Sequence, residues 1–173
     1  MSSFRYLLSK LSYILPVSVV IMDNTVYAAK VEGDSMQPVL NPKESNYSDF
    51  VLLNRWSLRR KSFCRGDIVV LSSPRDPSQV LIKRIIALEG DTVKMRISPG
   101  SFQIIPEGHC WVEGDHRERS LDSNVFGPVP LGLIFAKATH VIWPHNRWQR
   151  LSNYFDNSRI IPRMNPIYID EDD

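Results

Sequence analysis

Val80-Leu81-Ile82-Lys83-Arg84-Ile85-Ile86-Ala87-Leu88, closed by Glu89-Gly90-Asp91, is the stretch whose reading decides the fold. A short aliphatic run ended by turn residues reads as a β-strand. On a strand the side chains alternate between two faces. Leu81, Lys83, Ile85 and Ala87 then share one face, and Ile82, Arg84, Ile86 and Leu88 share the other. Each face is apolar but for one cation, so both faces are expected to be covered. From this local pattern alone, Lys83 most simply lays its stem on apolar surface and lifts its ammonium into water.

Working outward, the same pattern recurs. Arg65-Gly66-Asp67 turns into Ile68-Val69-Val70-Leu71, a continuous apolar run suited to a buried strand. Further strands are expected at Phe50–Leu53, at Thr92–Ile97 and Ser101–Ile105 around Pro99-Gly100, at His109–Val112 and at Leu133–Trp143. Arg147–Tyr154 reads as one or two helical turns, and residues 151–173 as a polar tail ending in Asp170-Glu171-Asp172-Asp173. Twelve prolines disfavour long helices and suit many short strands. The expectation is a mainly β domain over residues 30–150.

Composition limits what that domain does. The chain has 173 residues, 43% hydrophobic and 23% charged, as in an ordinary globular protein with one sizeable core. A net charge of +2 gives no field for nucleic acid, and Arg59-Arg60-Lys61 reads as a solvated loop. Cys64 and Cys110 allow one disulfide or none. His109, His116, His140 and His145 lack metal-ligand spacing, so no metal site is expected.

Residues 1–29 are set apart by an apolar segment, 6–22, interrupted by Lys10, three serines and Pro16. Its 17 residues sit at the lower end of the about 17–25 that cross a bilayer as a helix. Arg5 and Lys10 precede the apolar core and Asp23 follows it, a bias that leaves the N-terminus on the more negative side. An uncleaved single-pass transmembrane anchor is the favoured reading. A secretory signal ending at Val26-Tyr27-Ala28 and a mitochondrial address are its rivals.

Just downstream stands Gly33-Asp34-Ser35-Met36-Gln37-Pro38, after an extended approach over Ala28–Val31. A turn serine is ordinarily a cap or a backbone hydrogen-bond partner. Three later stretches change that reading: Arg65–Val70, Lys83–Asp91, and Gly114-Asp115-His116 through Ser120-Leu121-Asp122-Ser123-Asn124-Val125-Phe126-Gly127-Pro128. Together, in this order, the four resemble the boxes of the membrane-bound type I signal peptidases, over roughly residues 10–145. Within that family the chain resembles the mitochondrial inner membrane proteases, with Asn124 where bacterial members usually carry Arg and His116 where they carry Asn. An Asp–Arg pair within the last box therefore cannot form at position 124. Gly33 likewise brings no hydroxyl to an oxyanion hole.

The resemblance implies a signal-peptidase-like antiparallel β-sheet fold and a serine endopeptidase with Ser35 as nucleophile and Lys83 as general base. It implies Ser120 orienting the lysine, Asp115 and Asp122 supporting the site, and Met36 and Pro38 touching substrate. It implies no cofactor. The partners it implies are presequence-bearing substrates and a second catalytic subunit, at the inner membrane with the domain facing the intermembrane space.

The chemistry of the residues agrees. A serine hydroxyl needs an adjacent base, and burial lowers a lysine pKa from about 10.4 by up to roughly 3–5 units. Arg84 cannot serve, because guanidinium does not deprotonate in proteins. Two rival readings stand beside this one. A self-cleaving repressor-type peptidase shares the Ser–Lys pair but needs an N-terminal DNA-binding domain where this chain has an apolar segment. A membrane-tethered β-domain that stabilises a protease partner would leave Ser35 and Lys83 inert.

Overall fold

The computed structural model describes Lys10 and residues 26–56, 63–98, 100–153, 155–156 and 158–163. Apart from Lys10, the expected anchor at 6–22 lies outside the described residues. Among the described residues no helix is long and apolar enough to cross a membrane.

The apolar runs became strands: β1 (Val26–Lys30), β2 (Phe50–Asn54), β3 (Ile68–Ser72), β4 (Val80–Leu88), β5 (Thr92–Lys94), β6 (Phe102–Ile104), β7 (His109–Glu113), β8 (Val129–Pro130), β9 (Ile134–Trp143), β10 (Gln149–Arg150) and β11 (Ile160–Ile161). The main antiparallel sheet runs β1-β2-β9-β3-β4-β7-β8, with β10 on β9. A smaller sheet runs β11-β5-β6. β4 joins two halves, pairing with β3 over residues 80–84 and with β7 over 84–88.

The central strands are covered on both faces. Ile68 and Val70 pack with Val51, Leu53, Ala136 and Val141, while Val69 and Leu71 pack with Ile85, Cys110 and Val112 on the other side. Ile86, Ala87 and Trp111 form a third cluster with Val93 of the small sheet and Ile105 just after it. Full burial of each large aliphatic side chain contributes about 1.5–3 kcal/mol. Gly66 shows how tightly the turn before β3 is pressed: its φ is +88°, and a Cβ there would run into the backbone of Asn153.

Three expectations need correction. β5 stops at Lys94 and does not reach Ile97, because the Arg96 N–H leaves the sheet to donate to Asn124 Oδ1 at 2.9 Å. Of the stretch Arg147–Tyr154 expected to make helical turns, the described residues 147–153 are not α-helical: a 3-10 turn at His145–Arg147 leads into β10, since so short a run cannot nucleate a helix against a free strand edge. Of the stretch 151–173, Leu151 is in the core, Asn153 donates to Asp67, and Ile160–Ile161 pair with β5. Both cysteines are free, Cys64 exposed and Cys110 buried, where burial pushes the Cys110 thiol up to about 12.

Candidate active site

Ser35 stands on the loop between β1 and β2, which is pinned at its base. The Val31 N–H donates to the Asp49 carbonyl at 2.8 Å, and Asp49 and Asn41 exchange bonds of 2.8 Å each way. Arg147 clamps the Asp49 carboxylate from below and donates to the Val39 carbonyl at 3.0 Å. Met36, 1% exposed, plugs the core beneath Ser35. The loop thus presents a fixed hydroxyl.

Lys83 reaches that hydroxyl from β4, its Nζ 2.8 Å from Ser35 Oγ. The lysine is 3% exposed, so its head is not in water as the local pattern suggested. Burial pushes its amine below the ordinary lysine range, while the charge of Asp122 opposes that shift. Arg84, on the opposite face, is equally buried and is held by Asp115 through a two-pronged pair at 2.8 and 2.7 Å. Its remaining nitrogen donates to the carbonyls of Gly66 and Ser152.

The loop after β7 closes over the pair. The His116 N–H donates to the Ser35 carbonyl at 3.0 Å. The Gly114 N–H is shared between Ser120 Oγ and Asp122 Oδ2, each at 3.1 Å. Gly114 is required here, because a Cβ would strike the Ser35 carbonyl and the Ser120 side chain. Ser120 therefore lies beside Ser35, but its hydrogen bond goes to Gly114 and not to Lys83. Asp122 caps the helical turn Ser123–Phe126 by accepting from the Asn124 N–H.

An aliphatic groove of about 450 Å³ runs up to Ser35 and Lys83, bordered by Ala29, Val51, Val70, Ile82 and Phe135 among others. It lies where, among the described residues, β1 is a sheet edge and residues 80–83 of β4 lack a partner on the β7 side. Met36 and Pro38, expected to touch substrate, do not line it: Met36 is core, and Pro38 is exposed elsewhere.

Sequence reasoning missed the guanidinium that serves Asp122. It comes from Arg96, whose Nη2 lies 2.9 Å from Asp122 Oδ2 and 3.2 Å from Glu113 Oε2, while Arg159 holds Glu113 at 2.6 Å. Arg84–Asp115 was findable, since alternation put a guanidinium on a covered face where it needs a carboxylate. Arg96 gave no such sign.

The model of the family described as "Signal peptidase, peptidase S26" matches residues 4–99 and 97–143. The chain belongs to that family. Mitochondrial inner membrane protease subunit 2 of Mus musculus is 52% identical over 145 residues, 84% of this chain and 83% of its own length. The protein of the same name from Danio rerio is 49% identical over 148 residues, 86% of this chain and 81% of its own. A subunit 1, from Schizosaccharomyces pombe, is 43% identical over 118 residues, 67% of this chain and 73% of its own. As an S26 peptidase the chain is a serine peptidase, a hydrolase.

Proposed function

We propose that this chain is an endopeptidase of the mitochondrial inner membrane that removes sorting presequences from proteins delivered to the intermembrane space, using a Ser35–Lys83 dyad. The observation that carries the reading is the 2.8 Å approach of a dry lysine amine to a turn serine at the end of an aliphatic groove. The compartment is supported by the names of the relatives. A single-pass anchor with the domain in the intermembrane space fits Arg5 and Lys10 before the apolar segment and Asp23 after it. Because relatives are named as subunits 1 and 2, the chain works beside a second catalytic subunit.

In the proposed cycle the neutral Lys83 amine takes the Ser35 proton as Oγ attacks the scissile carbonyl carbon. The carbonyl electron pair moves onto oxygen, where the Ser35 N–H meets it. Collapse breaks the C–N bond, and the lysinium returns its proton to the leaving amine. Water, deprotonated by Lys83, then attacks the ester and releases the new carboxyl end and the serine hydroxyl. No step calls for a metal or organic cofactor. Ser120 orients the lysine through the Gly114 loop, and Asp115 and Asp122 brace that loop. The presequence lies extended along the groove, adding to the free edges of β1 and β4, with small side chains chosen at the reactive end.

The test is cleavage by the full chain assembled with a partner subunit whose own nucleophile has been removed. New N-termini of trimmed intermembrane-space proteins are sequenced. Ser35→Ala and Lys83→Met are each expected to abolish trimming. Wild-type rates from both would make the chain a scaffold for its partner.

A further inference from the structure

Asn124 leaves the last box without an arginine, yet the carboxylate it should serve is not orphaned. Asp122 is 1% exposed and is surrounded by donors: Arg96 Nη2 at 2.9 Å, the Asn124 N–H and Nδ2 at 3.1 and 3.0 Å, and the Gly114 N–H at 3.1 Å. Arg96 is fixed at both ends, since its backbone N–H donates to Asn124 Oδ1 at 2.9 Å. Asn124 Nδ2 also donates to Glu113 Oε1 at 2.8 Å, and Glu113 accepts from Trp111 Nε1 at 2.9 Å and from Arg159 Nη2 at 2.6 Å. Two buried carboxylates thus face two guanidinium groups.

We propose that Arg96 is a positioning residue of the peptidase site: its guanidinium clamps Asp122 and so holds the Gly114–Ser120 loop on Ser35 and Lys83. This rests on the Ser35–Lys83 reading above. The mechanical path is short. Asp122 Oδ2 takes both the Arg96 guanidinium and the Gly114 N–H, Gly114 lies against the Ser35 carbonyl and Ser120, and two residues on His116 donates to that same carbonyl.

The electrostatic path is as direct. Asp122 is the charge that favours a protonated Lys83. With Arg96 neutralising it the lysine can lose its proton; without Arg96 the cluster carries one extra negative charge. The other charged groups around the site remain paired: Lys30 with Glu32 at the groove, Asp34 with Arg119 beside the Ser35 loop, Arg84 with Asp115 on the far face of β4. His116 lies on the covering loop and is common to every variant. Removing Arg96 therefore raises the pH at which the amine becomes a base.

The test is the pH profile of kcat/KM for presequence cleavage by the assembled full chain, its partner's nucleophile removed. Arg96→Gln is expected to lower the plateau about tenfold and move the acid limb upward by about one pH unit. Arg96→Lys, which keeps the charge, is expected to hold the wild-type limb. The double variant Arg96→Gln with Asn124→Arg, which returns a guanidinium to Asp122 from the neighbouring turn, is expected to restore it. An Arg96→Gln limb at the wild-type position overturns the proposal while leaving the dyad intact. If Arg96→Gln does not fold, the double variant decides: folded, active enzyme supports the clamp, and an inactive or unfolded one overturns it. Failure of the dyad reading looks different, as cleavage that persists in Ser35→Ala.

Discussion

At the scale of single residues, Lys83 works against the stability of the fold that holds it. Its pKa is lowered by burial, so between that lowered value and the ordinary lysine value the unfolded chain binds more protons than the native one. Stability is therefore expected to rise with pH through that window, and the penalty is full below it. Lys83→Met should raise stability at neutral pH by about 1 kcal/mol and flatten the alkaline rise, as read by urea unfolding at several pH values. The ion pairs around it are unequal in the same physical way. Asp115→Asn leaves the buried Arg84 uncompensated and is expected to cost about 3–5 kcal/mol. Asp34→Asn, in the exposed pair with Arg119, is expected to change stability by less than about 1 kcal/mol. Equal losses in the two variants would mean that burial is not what makes the Arg84 pair matter.

At the scale of elements, the site is one loop pressed on another, with Gly114 at the contact. Gly114→Ala should push the covering loop off Ser35 and lower kcat about a hundredfold, with a smaller change in KM and a retained fold. Single-turnover cleavage and circular dichroism check this, and unchanged kcat would contradict it. What the sequence allowed here divides along clear lines. β4 ran over the residues its apolar pattern marked, because a strand covered on both faces needs no tertiary information to be recognised. Ser35, Lys83 and the covering loop were legible through four separate boxes that no local pattern joins. The local strand pattern put the Lys83 head in water, and its burial was legible only from the boxes taken together, because it depends on a loop 48 residues away. Arg96 was hidden for a similar reason: within Thr92–Ile97 it looked like a strand residue, and only its reach to Asn124 and Asp122 gives it a role. The direction of the Met36 side chain was not legible, because adjacency to Ser35 says nothing about which way a side chain turns, and it turns into the core.

At the scale of the molecule, the sheet brings distant parts of the chain to one place. The Ser35 loop is pinned by Arg147, Lys83 comes from β4, and the covering loop is braced by Arg96. Arg159, near the C-terminal end of the described residues, reaches back to Glu113 in the same cluster. The proposed dyad asks one thing of this arrangement, an amine that is neutral at the pH where the peptidase works, and burial shifts Lys83 in that direction. Nitrogen-15 NMR of the lysine side chains in the purified full chain, with Lys83→Met to assign the signal, measures that directly. The account predicts a Lys83 amine that loses its proton well below the ordinary lysine value of about 10.4. A Lys83 signal that stays an ammonium up to that value would contradict it.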